Sequence, residues 1–309
     1  MEQKKLAIGS ITLASLLWGA SFPIIKYGMM LGMDTSWLVI LRFSVAALLC
    51  SLVVIRFRGF RGLSRSFFRP SFWVLGFFNG IAFVFQYHGL LYTTASKASL
   101  LINMNVIFVA FFGALLYKQK VGGRICISIT LALTGVFLLA TEGNMENLAR
   151  GSLFGDFLQV MAALSWAFYI LENKLLMDKG ENALELTGGM LLATFIFSAP
   201  YSLYRISQGG SMSVVSTGAA IPLALIILYT AIGGSLAAYY LYAKGVKHVS
   251  AVVASLFLML EVVSAVGISM IFLGERLSAF GLIGAVAVCT GIMLAALEGY
   301  GKKAMVAAV

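Results

Sequence analysis

Charged residues are scarce in this chain: of its 309 residues, only 11% are Asp, Glu, Lys or Arg. A soluble protein needs more charge on its surface, and its interior offers too few positions to hide the 61% of residues that are hydrophobic. The mean hydropathy of +0.97 points the same way. The composition excludes a soluble globular protein and indicates a polytopic membrane protein.

Histidine and cysteine are also scarce, with two and three residues respectively. His88 and His248 are far apart in sequence, and no Cys/His spacing typical of a metal site occurs. Cys50, Cys126 and Cys289 all fall in apolar segments, which predicts free thiols packed as small hydrophobes. A phosphate-binding motif for ATP-driven transport is missing too. We expect no metal and no other cofactor.

Apolar segments of about 20 residues recur along the whole chain, and each can cross a hydrocarbon core of about 30 Å as a helix. The first follows Lys4 and Lys5 and has no small-residue cleavage site, so we interpret it as a membrane helix and not as a signal peptide. The ten predicted helices are 7–28, 36–55, 72–92, 98–117, 125–141, 153–172, 184–204, 220–242, 250–273 and 279–297.

Basic residues are distributed unevenly between the loops. If the N-terminus is cytoplasmic, 16 of the 22 Lys and Arg residues fall on the cytoplasmic side, four on the other side and two inside helices. The positive-inside rule then predicts that both termini are cytoplasmic, in a protein integral to the cytoplasmic membrane. We interpret the net charge of +10 as this topology signal, with weak attraction to membrane lipid, and expect no nucleic-acid partner.

The second half of the chain repeats the first. A shift of 156 residues aligns the third to fifth predicted helices with the eighth to tenth and places Gly89 on Gly245. A shift of 148 places Trp18 on Trp166. Identities at several positions under one shift make a chance match less attractive than a true repeat.

The repeat predicts the architecture. We divide the chain into a first five-helix repeat, 1–148, and a second, 149–309. Since five is an odd number, the two repeats must enter the membrane with opposite orientation. The predicted fold class is therefore an all-α polytopic membrane protein with ten transmembrane helices in two inverted repeats. In secondary transporters of this kind, the substrate site lies between the repeats near the bilayer midplane.

The chain resembles EamA-type members of the drug/metabolite transporter superfamily in five successive stretches: "LLWGASFPIIK", "LRFSVAALL", "GLLYTTASKASLL", "GSLFGDFLQVMAALSWAFY" and "LGERLSAFGLIGAVAVCTGIMLA". The similarity covers nearly the whole chain, and the motifs occur in the expected order. The resemblance implies two inverted five-helix repeats, cytoplasmic termini and transport of small metabolites such as amino acids.

The chain also departs from this family pattern. The fourth and ninth helices of the family usually carry a proline, in the ninth often after a Glu, but here the fourth reads "NMNVIF" and the ninth has Glu261 followed by Val262. Gln119 stands where the second repeat has Glu275. Without proline, a helix is expected to keep its backbone hydrogen bonds, so the sequence gives no basis for a kink in either helix.

Polar and aromatic residues inside the predicted helices are the candidates for the substrate site, because ionisable groups in a membrane usually face a cavity or a partner. Asn79 and Gln86 share one face of the third helix, and the equivalent face of the eighth carries Tyr239. Interhelical hydrogen bonding is the alternative role for these faces. The substrate-binding candidates are Trp18, Asn79, Gln86, Asn105, Trp166, Tyr169, Tyr239 and Glu261.

Glu261 is the candidate for coupling. It matches Asn105 under the shift of 156 and lies about 15 Å from either end of its helix, too far to reach water. Glu261 could carry a proton across the site or bind a substrate amine; the alternative is a hydrogen-bonded structural glutamic acid, with Asn105 or a backbone carbonyl as acceptor. Arg42 also lies deep in a helix, and we interpret it as bonded to backbone carbonyls of neighbouring helices or reaching the outer interface.

Small residues recur every four positions in the tenth helix, at Gly281, Ala285 and Cys289. Such residues allow close helix approach. They indicate either a homodimer through the fifth and tenth helices or a packing seam within the chain.

These observations predict a secondary transporter that exports a small metabolite, with amino acids or related compounds favoured, by alternating access that proton coupling could drive. Uptake or exchange of an organic cation or a nucleotide-linked compound is the second hypothesis. An intramembrane enzyme belongs to another class and would need a cluster of nucleophile, base or metal ligands, which the sequence does not show. We therefore predict no enzymatic activity.

Overall fold

The computed structural model describes residues 2–119, 121–149, 151–210, 220–272, 274 and 276–298. Regular structure in these ranges is helical, apart from one isolated antiparallel bridge between Thr93 and Gly151. Several residues used above lie outside the described residues: Lys120, Arg150, Lys302 and Lys303 of the charge count, and Glu275 of the motif comparison.

The helices overlap all ten predicted segments. They are α1 (Glu2–Met30), α2 (Thr35–Phe68), α3 (Pro70–Gly89), α4 (Ala95–Asn103), α5 (Asn105–Tyr117), α6 (Gly123–Thr141), α7 (Glu146–Ala149), α8 (Leu153–Asp178), α9 (Ala183–Ser207), α10 (Ala220–Ala231), α11 (Ala238–Val246), α12 (Ala251–Leu258), α13 (Leu260–Phe272) and α14 (Ala279–Glu298). A π-helical turn, Ile232–Ala237, joins α10 to α11 into one continuous helix.

In the described part of the chain, nine helical segments are long and apolar enough to cross a membrane. The remaining predicted segment, α3, has 20 residues but a lower hydropathy, because Asn79, Gln86 and His88 interrupt its apolar run. This helix packs against both α8 and α9, so its polar residues lie inside the bundle. The protein is an all-helical polytopic membrane protein, as predicted.

Polar side chains cap several of these apolar helices at their first turn. Five helices begin at a residue whose side-chain oxygen accepts a hydrogen bond from a backbone N–H of the first turn, which has no partner inside the helix. These caps are Asp34 for α2, Thr94 for α4, Ser152 for α8, Asn182 for α9 and Ser250 for α12.

Equivalent helices of the two repeats make matching contacts. Helix α1 packs against α11 and α13 of the second half, and α8 packs against α3 and α5 of the first. A Cβ on Gly245 would lie 2.7 Å from the carbonyl oxygen of Ala7, and one on Gly89 would lie 3.1 Å from that of Gly155. The shifts read from the sequence relate these two close approaches to each other. The repeat boundary near residue 148 remains a prediction.

The fifth and tenth transmembrane helices, α6 and α14, pack closely against each other within the chain. A Cβ on Gly135 would lie 2.5 Å from the carbonyl oxygen of Gly284, and a Cβ on Gly291 would lie 2.8 Å from that of Ser128. The seam therefore uses Gly284 and Gly291, whereas the atoms nearest to a Cβ on Gly281 of the predicted series belong to Leu277 and Ser278, just before the same helix. A homodimer through these helices remains a prediction.

The fourth and ninth transmembrane helices are both interrupted, although neither contains proline. The break between α4 and α5 falls at Met104, whose N–H donates to the Leu101 carbonyl at 3.2 Å. The break between α12 and α13 falls at Met259, whose N–H donates to the Leu256 carbonyl at 3.1 Å. These three-residue turns replace the expected uninterrupted helix. The breaks occur at nearly the same place in both repeats, and neither is marked by a proline or a glycine.

The three cysteines are free, as predicted, but they are not all packed inside. Cys50 is buried and Cys289 is partly exposed, whereas Cys126 is exposed on the outer face of α6. The prediction of packed thiols was wrong for Cys126, because the α6 face that contacts α14 is the one carrying Ser128 and Gly135.

Candidate functional site

A buried polar network joins the two halves of the molecule. The Tyr239 hydroxyl of α11 donates to Asn79 Oδ1 of α3 at 2.9 Å, and Asn79 Nδ2 donates to Thr194 Oγ1 of α9 at 3.1 Å. All three side chains are buried. The predicted candidates Asn79 and Tyr239 therefore face each other across the interface between the repeats.

Aromatic rings surround this network. The Trp18 ring of α1 lies 5.0 Å from Tyr239 and 5.7 Å from Tyr242, between ring centroids. The Tyr169 ring of α8 lies 5.9 Å from Tyr239 and 6.1 Å from Tyr242. The Tyr242 hydroxyl is buried without a hydrogen-bond partner among the described residues. Trp18, Tyr169 and Tyr239 thus form one cluster, and Tyr242, which we did not include among the candidates, belongs to it.

Trp166 lies on the other flank of the site. Its ring is 5.6 Å from that of Phe83 on α3, and the two planes are perpendicular. Phe83 in turn lies 6.0 Å from Tyr87 and 5.0 Å from Phe43 of α2. Trp166 therefore contacts Phe83 of α3, and no ring contact among the described residues links it directly to Tyr169, Tyr239 or Tyr242.

The tryptophans fall into two kinds. The indole N–H groups of Trp37 and Trp73 donate to backbone carbonyls, at 3.1 and 2.6 Å. Trp18 and Trp166 are half-buried, and their indole N–H groups make no hydrogen bond to any residue the structure describes. The two repeat-equivalent tryptophans thus keep a donor available, which a ligand or water could use.

Gln86 and Asn105 are buried and carry unused polar atoms. The Gln86 backbone carbonyl accepts from Gln159 Nε2 at 3.0 Å, but its side-chain amide makes no hydrogen bond within the described ranges. Asn105 follows the break at Met104, and its Oδ1 has no hydrogen-bond partner there either. Buried polar atoms are normally paired, so both side chains are suited to bind a ligand or water.

Glu261 lies in the first turn of α13, just after the break at Met259, and is half-buried. Helix α1 crosses here: a Cβ on Gly19 would lie 2.5 Å from the Glu261 carbonyl oxygen. The carboxylate makes no hydrogen bond or ion pair with the described residues. The alternative role, in which it donates to Asn105 or to a carbonyl, is therefore not the arrangement found.

Arg42 of α2 is bound to the π-helical turn of the opposite half. Its Nε donates to Ser235 Oγ and its Nη2 to the Gly234 carbonyl, both at 2.7 Å. A π-helical turn leaves backbone groups without their usual helical partner, and the guanidinium supplies a donor to one of them. The guanidinium carbon also lies 5.5 Å from the centre of the Phe83 ring. The predicted bonding of Arg42 to a backbone carbonyl of a neighbouring helix is confirmed.

A narrow crevice between α2, α3 and α9 opens at the end of the bundle that carries the α1–α2 loop. Phe83 lies at its inner part, where it contacts Arg42 and Trp166. The residues that line it are Thr35, Ser36, Val39, Phe83, Val84, Tyr87, Ser198, Tyr201 and Ser202.

Ion pairs tie the helices together at the opposite end. Arg58 Nε of α2 lies 2.8 Å from Glu185 Oε1 of α9. The buried Lys174 Nζ of α8 lies 2.6 Å from Asp178 Oδ1 and donates to the Lys247 carbonyl at 3.2 Å. The Arg58–Glu185 pair therefore joins α2 to α9, and the bond from Lys174 to the Lys247 carbonyl joins α8 to the end of α11.

Comparison with known proteins now gives the family. The model of the EamA-like transporter family matches residues 5–141 and 153–297. The chain belongs to the EamA-like transporter family. Each matched range contains one half of the fold, so the family signature occurs once in each repeat. A membrane transporter of this family has a small-molecule substrate and a lipid environment.

Relatives extend over almost the whole chain. An uncharacterized transporter of Archaeoglobus fulgidus is 28% identical over 288 residues, which cover 92% of this chain and 95% of the relative. A probable amino-acid metabolite efflux pump of Escherichia coli is 25% identical over 297 residues, covering 91% and 92%. A crystal structure superposes with a TM-score of 0.76 over 96% of this chain and 98% of the other, and at 17% identity it shows the fold alone.

Proposed function

We propose that this EamA-like protein is a secondary transporter that exports amino acids or related small metabolites by alternating access. The observation that carries the proposal is the buried cluster between the repeats, where Asn79 and Tyr239 meet Trp18 and Tyr169. Such a position between inverted repeats is where secondary transporters bind substrate. The similarity to the amino-acid metabolite efflux pump of E. coli supports the substrate class and the direction.

The unpaired groups around this cluster supply the binding chemistry. The Gln86 amide, Asn105 Oδ1 and the indole N–H groups of Trp18 and Trp166 can hydrogen-bond a polar ligand, and the rings can stack on an aromatic one. Glu261 is the proposed coupling residue, since its unpaired carboxylate can exchange a proton or bind an amine. A crevice at one end and the Arg58–Glu185 ion pair between α2 and α9 at the other fit a molecule that opens alternately to its two sides.

Flux measurements test this proposal. Purified protein in proteoliposomes, with and without a proton gradient, should move labelled amino acids across the bilayer, and protein-free liposomes provide the background. A gradient-dependent rate would establish proton coupling. Failure to move any amino acid, with transport of choline-like cations or nucleotide-linked compounds instead, would favour the second hypothesis.

The same assay addresses an enzyme as the alternative of another class. We propose that the protein carries out no catalysis, so the transported compound should be recovered chemically unchanged. Among the described residues, no three His, Cys, Asp or Glu side chains are grouped as metal ligands would be. Mass spectrometry of the liposome contents would reveal a modified product if the protein were an intramembrane enzyme.

We further propose that the protein lies in the cytoplasmic membrane with both termini in the cytoplasm. Cysteines placed singly at Arg61 and Lys244 in a cysteine-free background should be labelled from the cytoplasmic side, and one at Asn144 from the outside. Outside labelling at position 61 would reverse the orientation. We infer no nucleic-acid partner, because the basic excess is accounted for by this topology.

The homodimer through α6 and α14 also remains a hypothesis. Because α6 and α14 already fill each other's close-packing surfaces, a dimer there would have to use their outward residues, such as the exposed Leu282. A cysteine at position 282 should form a disulfide-linked dimer in native membranes if that face is an interface. A monomer under the same oxidising conditions would argue against it.

A further inference from the structure

The α2 helix continues past its membrane-spanning part and turns at Gly59. From Thr35 to Arg58 the helix is about 36 Å long, enough to cross a hydrocarbon core of about 30 Å. Gly59 then has a φ of 67°, in the left-handed region that favours glycine, and a further helical segment, residues 60–68, follows before α3 begins at Pro70. This segment therefore lies at one boundary of the membrane, between two helices of the bundle.

One face of residues 60–68 packs against α9. Gly62 and Ser66, one helical turn apart, are both buried. A Cβ on Gly62 would lie 3.3 Å from Glu185 Oε1, and a Cβ on Gly189 would overlap the Ser66 carbonyl oxygen. The segment is therefore part of the packed bundle and not a free loop.

Two stripes of side chains run along the rest of the segment. Phe60 and Phe68 are 76% and 82% exposed, and helical spacing places them on one face. Arg61, Arg65 and Arg69 recur every four residues on the adjacent face. The positive-inside rule accounts for basic residues in this loop but not for their spacing, because it counts charges regardless of helix face. An aromatic stripe beside a basic stripe is the pattern of a helix that lies in a membrane interface.

The carboxylates next to this basic stripe are buried beneath it. Arg69 pairs with Glu181, whose side chain is 7% exposed. Arg65 Nη1 lies 3.8 Å from Glu185 Oε2, beyond hydrogen-bond distance, and the Glu185 side chain is 2% exposed. Arg61 forms no ion pair with the residues that the structure describes. The outward-facing charge of the stripe is therefore positive, and Arg61 and Arg65 keep N–H donors for an anion.

A groove of about 420 Å³ runs along the basic stripe, within the range of about 300–1,000 Å³ usual for small-ligand sites. Its lining residues are Arg61, Ser64, Arg65, Phe68, Arg69 and Pro70. The lining thus combines guanidinium groups and a hydroxyl with an aromatic ring, at the boundary where phospholipid headgroups meet their acyl chains. A phosphate suits these groups, because a guanidinium can donate two parallel hydrogen bonds to two phosphate oxygens.

We propose that this groove is a binding site for an anionic phospholipid of the surrounding bilayer. Arg61 and Arg65 bind the phosphate of the headgroup. Phe60 and Phe68 contact the acyl chains. A zwitterionic lipid brings its own cation to the same phosphate, so the positive groove should prefer a lipid whose headgroup adds none. The groove lies about 25 Å along α2 from Arg42, so the site is separate from the cluster between the repeats and does not depend on the proposed transport function.

A mixture of two lipids tests this preference. Purified full-length protein is delipidated in detergent, incubated with equal amounts of dioleoyl phosphatidylglycerol and dioleoyl phosphatidylcholine, and measured by native mass spectrometry. The two lipids share their acyl chains and differ in headgroup charge. The wild type should carry phosphatidylglycerol about 25-fold more often than phosphatidylcholine, since each arginine near a membrane surface contributes about fivefold to the binding of an anionic lipid. The ratio compares lipids on one protein, so a partly unfolded sample does not change it.

Variants test whether the groove is responsible for the preference. Arg61→Gln and Arg65→Gln should each reduce the ratio by about fivefold, and the double variant should bring it to about one. Arg56→Gln/Arg124→Gln is the matched control, because it removes two exposed arginines that do not line the groove. This control should keep the wild-type ratio.

A soluble phosphate compound is the alternative source of the same chemistry. Glycerol 1-phosphate in large molar excess should not displace phosphatidylglycerol, because it lacks the chains that contact Phe60 and Phe68. Phe60→Ser/Phe68→Ser should lower the occupancy of both lipids and leave their ratio unchanged. Displacement by glycerol 1-phosphate would assign the groove to a soluble phosphate and overturn the lipid site.

Three further outcomes would contradict the site. The wild type could bind the two lipids equally, or the Arg61→Gln/Arg65→Gln variant could keep the wild-type ratio. The Arg56→Gln/Arg124→Gln control could also lose the preference as fully as that variant, which would show that net charge and not the groove selects the lipid. None of these results bears on amino-acid export, which the flux assay measures separately.

Discussion

The two repeats place equivalent positions on opposite sides of the site, and those positions differ in charge. On one side, which we call the charged side, Arg42 of α2 bonds to the π-helical turn between α10 and α11, and the Glu261 backbone of α13 lies against α1. On the neutral side, the equivalent positions are Met190 of α9 and Asn105 of α5. The scaffold is thus nearly symmetric, whereas the groups that can bind charge are concentrated on one side of it.

The third helix of each repeat shows the same contrast in its backbone. On the neutral side, α3 is an uninterrupted helix, and its Asn79 bonds to Thr194 of α9 through neutral groups. On the charged side, the equivalent residue, Ser235, lies in the π-helical turn and bonds to Arg42. A symmetric site would bind a polar ligand equally well in two orientations. If the proposed site binds substrate, its unequal sides would give the ligand one preferred orientation, while the repeat would provide two similar halves for the proposed alternating access.

Removing the anion from the charged side should have the largest effect. We expect Glu261→Gln to fold but to lose proton-coupled accumulation or the binding of substrates with an amine, because glutamine keeps size and hydrogen bonding and removes the titration. Uptake into proteoliposomes at several pH values measures this. Asn105→Asp, which adds an acid to the neutral side, is the matched comparison and should not restore coupling when combined with it. Unchanged pH dependence and affinity in Glu261→Gln would show that the charge takes no part.

On the neutral side, the side-chain amide of Gln86 should matter for binding more than for folding. Its amide has no partner within the described residues, so it can be hydrated in the empty protein. Gln86→Ala should weaken substrate binding by about tenfold, which corresponds to one hydrogen bond of roughly 1.4 kcal/mol. The melting temperature should change little. An equal loss of thermal stability and transport would assign Gln86 a structural role instead.

Asn79, two turns earlier on the same face of α3, should show the reverse. Its amide pairs with the Tyr239 hydroxyl and with Thr194, and all three are buried. Asn79→Ala leaves both partners without their bond and should destabilise the protein by about 1–3 kcal/mol. A thermal-unfolding assay on purified protein would show this as a fall of several degrees. If Asn79→Ala and Gln86→Ala gave the same melting temperature, the distinction between the paired and the unpaired amide would fail.

The helices and the repeat were predictable because both depend on local or periodic signals. Hydropathy locates a membrane helix, and a constant shift relates Gly89 to Gly245 and Asn105 to Glu261. The breaks at Met104 and Met259 were not predictable, since no proline or glycine marks them. The same limit applies to the partners of Arg42: they exist only because a distant segment forms a π-helical turn.

The smallest expected effect concerns the loop that joins α11 to α12 on the charged side. His248 lies there, whereas Tyr92 occupies the equivalent place on the neutral side. Partial burial, helped by the positive charges of Lys247 and Lys174 and opposed by Asp178, lowers the pKa of His248 below its usual 6.5. The unfolded chain therefore takes up the proton first as pH falls. The contribution of His248 to stability is complete above about pH 6.5 and decreases as pH falls toward its folded pKa.

Between about pH 7 and pH 5, we therefore expect the melting temperature of the His248→Gln variant to fall less than that of the wild type. Because most of the side chain is exposed, the difference should be small. Melting curves at about pH 8, where histidine is neutral in both states, give the effect of the substitution itself. Identical acid profiles of variant and wild type would show that the charges around Lys174 do not act on this loop.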